Sequence, residues 1–240
     1  MLAGLRAVGD HALVVTAANT LSQRPLPGPF LLALAPAAIT LVVTLARLGG
    51  ELVSGPAWLF STASGGGAAL VGITWLVPLS GVWFGFRLAR AGRSPSHRLR
   101  TVLLHLVAAA IYVGGFQLAG RIDGSTHDGI VTQILCMSGV ALAAALLAVA
   151  TWPDLGAVNL LYGLLARAPT ATITVLAVHG AWGTHFEKFG PHDYAGMAPG
   201  EAAAWLAFTQ IVFWVPFTAV VGGLFGALAA LCGGRTVVSP

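Results

Sequence analysis

Six apolar stretches constrain this 240-residue chain more than any motif in it: 28–47, 67–87, 101–119, 129–151, 169–185 and 203–232. A hydrocarbon layer about 30 Å thick is crossed by about 20 helical residues, each adding about 1.5 Å. Inside that layer every backbone N–H and C=O must find a partner within the protein, so stretches this long become helices. A soluble domain could not bury all six. Residues of the AVILMFWYC set make up 57% of the chain and Asp, Glu, Lys and Arg 8%, against roughly 25% charged residues in soluble domains. The expectation is an all-α polytopic membrane protein, a single membrane domain over 1–240 with six transmembrane helices. The fifth stretch is short for a crossing, and the sixth is long enough to tilt.

Lys and Arg collect in short loops on the cytoplasmic side. With the N-terminus inside, the inner segments hold Arg6, Arg24, Arg87, Arg90, Arg93, Arg98, Arg100, Arg167 and Arg235. Outside lie Arg47, Arg121 and Lys188, with Glu51, Asp123, Asp128, Glu187, Asp193 and Glu201. Both termini are therefore expected in the cytoplasm, in a cell (inner) membrane. The basic run RLARAGRSPSHRLR, 87–100, obeys the same rule and needs no nucleic acid to explain it. The expected partner is the lipid bilayer, with a second copy or other membrane subunits beside it. Near the start, Leu2, Leu5, Val8, Ala12 and Val15 recur at near-helical spacing, while Gly9, Asp10 and His11 interrupt the apolar run of a cleavable signal. An interfacial helix on the inner leaflet fits that pattern.

Part of the sequence occurs twice. LALAPAAIT at 32–40 returns as LARAPTATIT at 165–174, matching Pro36 to Pro169. WLVPLSGVWFG at 75–85 returns as FWVPFTAVVGG at 213–223, matching Pro78 to Pro216, Ser80 to Thr218 and Gly85 to Gly223. The two proline matches fall in the same order, and AANTL at 17–21 resembles AVNLL at 157–161 ahead of each. A parallel duplication of a helical hairpin follows, with unit A over 11–93, an intervening hairpin over 101–151 and unit B over 155–233. Each unit would hold an interfacial helix, an outward span and an inward span.

Proline removes a backbone donor and clashes with the preceding turn, so a helix carrying one inside kinks. Pro78 and Pro216 are expected to kink their spans, with Ser80 and Thr218 reshaping the local bonding. Pro36 and Pro169 lie close to span ends, where proline often begins a helix. Together Pro36, Pro78, Ser80, Pro169, Pro216 and Thr218 form the expected pathway or hinge. Gly81 with Gly85, and Gly222 with Gly226, carry the small residues at four-residue spacing that let helices approach closely.

The spans show almost no ionisable residue at mid-depth, which disfavours a carboxylate proton relay. Polar residues gather instead on the outer side: His127, His179, His185, Glu187, His192 and Asp193. Imidazole and carboxylate suit zinc, copper or iron, and His179, His185 and His192 would be the ligands of such a site. A helix aligns ligands three or four apart, whereas His179 and His185 are six apart, so a solvated cluster without metal is the expectation. Cys136 and Cys232 have no CxxC or partner spacing. No phosphate loop, dinucleotide fingerprint or HExxH appears, so no catalytic residue and no cofactor is implied.

The functional expectation is a permease or channel-like protein with its pathway between two proline-kinked repeated hairpins, its substrate not legible. Two alternatives stand beside it. One is a non-catalytic subunit or assembly factor of a larger membrane complex, and the other is a metal or redox protein using the outer histidines. A pathway at the prolines should leave Ser80 and Thr218 open to water, while a packing subunit should seal them.

Overall fold

The computed structural model describes residues 27–188 and 196–233, and among these there are helices and no strands. In chain order they are α1 (Pro29–Leu52), α2 (Ala57–Phe60), α3 (Leu76–Arg90), α4 (Arg98–Ala119), α5 (His127–Thr151), α6 (Pro153–Gly180), α7 (Pro199–Val212) and α8 (Trp214–Gly233), with single 3-10 turns at Ser64–Gly66 and His185–Glu187. The chain is an all-helical, multi-pass membrane protein. Among the described residues, five segments are long and apolar enough to cross: α1, α4, α5, α6 and the run Pro199–Cys232, which holds α7 and most of α8. The interfacial helix expected at 2–15 lies outside the described residues.

Three of the six expected spans take a different form. The second, 67–87, is helical only from Leu76: residues 68–75 run through turns and bends, preceded by Gly65, Gly66 and Gly67 at positive φ of 65°, 84° and 54°. The 15 residues of α3 reach only about 22 Å at about 1.5 Å each. The fifth begins sixteen residues earlier than expected, at Pro153. One extended residue, Trp152 (φ −145°, ψ 86°), separates α5 from α6, and Pro153 starts the new helix, where its missing N–H costs nothing. The 28-residue α6 absorbs the stretch 157–161, so unit B has no separate interfacial helix. The sixth is broken at Phe213 (φ −107°, ψ −53°), just before Pro216.

Polar ties mark two ends of the bundle. At one, here the near face, Trp152 Nε1 donates to Arg93 O at 3.0 Å, Arg93 pairs with Asp154, and Arg98 donates to Ala230 O. At the other, the far face, His185 binds Glu51, Lys188 Nζ donates to Thr62 O at 2.7 Å, and His127 binds Glu201. The core between them packs α1 on α6 and α3 on α8. Phe84, Leu88, Leu155 and Tyr162 are buried there, with Phe84 edge-on to Tyr162. Thr40 Oγ1 bonds the Tyr162 hydroxyl at 2.9 Å, which gives the phenol a partner in an apolar core.

The α3–α8 seam is the tightest. A Cβ on Gly81 would strike the backbone of Gly222, and one on Gly85 would strike that of Gly226. Gly222 in turn backs onto Asn159 Oδ1, and Gly226 onto Leu155. Small residues here give backbone-to-backbone contact, the source of helix attraction in lipid.

Candidate binding cavity

Six helices, α1 and α4 to α8, surround a cavity of about 740 Å³. It runs from the far-face segments, where Ser64, Gly72, His185 and Lys188 line it, down to Arg167, Thr170, Gln210 and Trp214. Its floor is the break between α7 and α8. Irregular backbone at membrane depth persists where protein buries it or a cavity receives it, and Phe213, at the break, is both a lining residue and the acceptor of a 3.4 Å bond from the Tyr112 hydroxyl.

The rim is built by Arg47, in the last turns of α1. Its Nη1 donates to Val71 O at 2.6 Å, and its Nη2 to Ser61 O at 2.6 Å and Gly66 O at 3.0 Å. These carbonyls belong to the non-helical segment before α3 and have no helical partner. Gly66 must be glycine, since a Cβ would sit 2.9 Å from the guanidinium on a backbone with φ of 84°. The charge is met within the same helix: Nε donates to Glu51 Oε1 at 2.5 Å, and the two side chains are 6% and 0% exposed. Glu51 also accepts from His185 N at 2.8 Å and binds His185 Nδ1 at 2.5 Å. Arg47, Glu51 and His185 thus stitch α1 to both far-face segments around the mouth.

Arg167 is different. It lies at the midpoint of α6, about 20 Å from either end at about 1.5 Å per residue, and is 5% exposed. Its guanidinium stacks on Trp214 at 4.4 Å from the ring centre, and Nη1 donates to Gln210 Oε1 over a long 3.4 Å. Among the described residues no carboxylate lies within ion-pair reach of it, and none lines the cavity. A cation at mid-membrane is costly and marks a functional site by default. In the same lining, Ser138 Oγ, on α5, is buried without a hydrogen-bond partner.

The residues singled out in the sequence lie mostly elsewhere. Pro78 sits in the first turn of α3, where the N–H it lacks would have no helical partner, so it begins a helix rather than kinks one, whereas Pro216 follows the break at Phe213 inside the run Pro199–Cys232, across which Phe213 N still donates to Thr209 O and Phe217 N to Phe213 O. Pro36 and Pro169 are the ones inside helices. Thr40 donates to Pro36 O at 2.9 Å. Ser80 is 8% exposed and Thr218 1%. Thr218 donates to Trp214 O. None of these six lines the cavity. Pro78, Ser80, Pro216 and Thr218 lie on the two helices that form the seam of Gly81, Gly85, Gly222 and Gly226.

The far-face polar residues separate into distinct contacts. His127 Nε2 meets Glu201 Oε1 at 2.7 Å and its Nδ1 meets Asp128, in the open. His179 Nδ1 bonds Val175 O, and Glu187 accepts from Trp182 N. His185 joins Glu51, while His192 and Asp193 lie outside the described residues. Among the described residues no three His, Cys, Asp or Glu side chains are placed to hold a metal. Arg167 corrects its expected cytoplasmic position and is an ionisable group at the middle of a span, whereas Arg47 and Glu51 lie in the last turns of α1. The available signals were Glu51 one helical turn after Arg47, and apolar sequence on both sides of Arg167.

Comparison with protein-family models, with curated proteins and with solved structures finds no match for this chain.

Proposed function

We propose that the chain is a membrane permease whose substrate enters the cavity from the far face and reaches Arg167, with the glycine seam of α3 and α8 as the rigid side against which the other helices move. The far face is taken as the outside, following the distribution of Lys and Arg. The supporting observation is a polar and aromatic cavity ending at a broken helix at mid-depth, the arrangement in which carriers hold substrate. Its volume falls within the roughly 300–1,000 Å³ of small-molecule sites. A pathway through the seam gains no support, because Ser80 and Thr218 are sealed.

The test is two-sided labelling. With Cys136 and Cys232 replaced, a single Ser138→Cys protein in oriented vesicles should react with an impermeant maleimide from the far side and, during turnover, from the near side. Reaction from one side under all conditions would sink the permease and leave a binding protein. The alternative of a packing subunit predicts no reaction from either side.

A further inference from the structure

We infer that the cavity selects an amphipathic monoanion: one carboxylate-like or phosphodiester head bound at Arg167, with an apolar body along the aromatic wall. This rests on the cavity being the substrate site.

The charge of the lining excludes other classes. Arg47, Arg167 and Lys188 line the cavity, and among the described residues no Asp or Glu does. A cation would meet basic side chains and no carboxylate among the described lining residues. The three differ in what they can offer. Arg47 is neutralised by Glu51 and its N–H groups are taken by backbone carbonyls. Lys188 is exposed at the mouth and bonded to Thr62 O, where it can steer an anion inward but not hold it out of water. Arg167 alone combines burial with an unmatched charge, which fits one negative charge and makes a dianion costly at that depth.

The head geometry follows from the guanidinium. Stacking on Trp214 occupies its face, and of its five N–H groups one is used, in the 3.4 Å bond to Gln210. The remaining edge presents paired donors, which match two oxygens on one centre. Ser138 Oγ, buried and without a partner, supplies a further hydroxyl in the same lining. The body is set by Tyr112, Phe116, Met137, Phe213 and Phe217, an apolar wall that a small inorganic anion would leave in contact with water.

The experiment uses the full chain in phosphatidylcholine nanodiscs, with 3-phenylpropionate and octanoate as probes in calorimetric titration. Their neutral amides, phenethylamine, suberate and sulfate serve as comparisons. Both monocarboxylates should bind, the amides should bind at least about tenfold more weakly, and phenethylamine, suberate and sulfate should not compete. Arg167→Gln should abolish binding while Arg167→Lys, a point charge without the fork, keeps part of it. Should neither carboxylate bind, native mass spectrometry of protein extracted from its own membrane decides. A stoichiometric anionic lipid lost in Arg167→Gln supports the same head chemistry from a lipid source. Absence of both overturns the inference, as does equal binding of the amides, the amine or the dianion. If Arg167→Gln unfolds, the probe comparison on the parent protein still stands. Two-sided labelling of Ser138→Cys that persists while no monoanion binds would refute this inference and keep the permease. The converse would refute the permease and keep the ligand class.

Discussion

Glu51→Ala removes a carboxylate that accepts from Arg47 Nε at 2.5 Å and His185 N at 2.8 Å, and that also binds His185 Nδ1. It strands a guanidinium only 6% exposed. Breaking one side of a buried pair costs about 3–5 kcal/mol, and the stranded His185 N–H adds about 1 kcal/mol. Glu51→Gln keeps an acceptor oxygen and should cost about half as much. The informative variant is the pair Arg47→Met with Glu51→Met. Apolar replacement of a buried ion pair is often neutral, yet here Arg47 also bonds the carbonyls of Ser61, Gly66 and Val71; Gly66 O keeps the bond from Ala69 N, while the carbonyls of Ser61 and Val71, left alone, cost about 1–3 kcal/mol each. The double variant should therefore stay at least about 2 kcal/mol below the parent. Detergent-titrated unfolding in mixed micelles, followed by tryptophan fluorescence, reads the difference. Recovery to within about 1 kcal/mol of the parent would refute the reasoning, because Arg47 would then be an ion-pair partner and nothing more.

Other substitutions test other parts of the fold. Gly85→Ala drives a methyl into the Gly226 backbone and should cost about 1–3 kcal/mol, whereas Gly114→Ala, with open space at its Cβ position, should be neutral or stabilising in the same unfolding assay. Thr40→Val deletes the hydroxyl shared by Pro36 O and Tyr162 and should cost about 1–2 kcal/mol. Pro78→Ala, in a first turn, should change stability by less than about 1 kcal/mol. A loss above about 2 kcal/mol there would contradict the assignment of Pro78 as a helix start.

Helical class and multi-pass character were legible because apolar length is a direct physical requirement of the bilayer. The glycine pairs were also visible as sequence, and they lie in direct contact in the structure. What sequence could not carry was the role of each proline. A proline deprives a helix of a bond only after the first turn, so its effect depends on where the helix begins, and helix ends vary by more than a turn in such apolar sequence. Reading Pro169 as a span boundary put Arg167 in the cytoplasm, whereas Pro153 starts the helix and carries Arg167 to mid-depth. Arg47 and Glu51 were set in a loop by the same convention, which treats charge as the end of a span. Here the charge is buried because the segment after Ser61 brings carbonyls to meet it, a long-range match that no local pattern reports.

Spin labels placed singly at Ser138 and Thr218, in a background lacking Cys136 and Cys232, measure the central claim in a bilayer. Both positions are buried at 5% and 1% exposure, but one lines the cavity and the other the seam. Power-saturation measurements with a water-soluble nickel chelate should show high accessibility at Ser138 and little at Thr218. Equal exclusion of the chelate from both, or entry at Thr218 alone, would contradict a cavity that reaches down to Arg167.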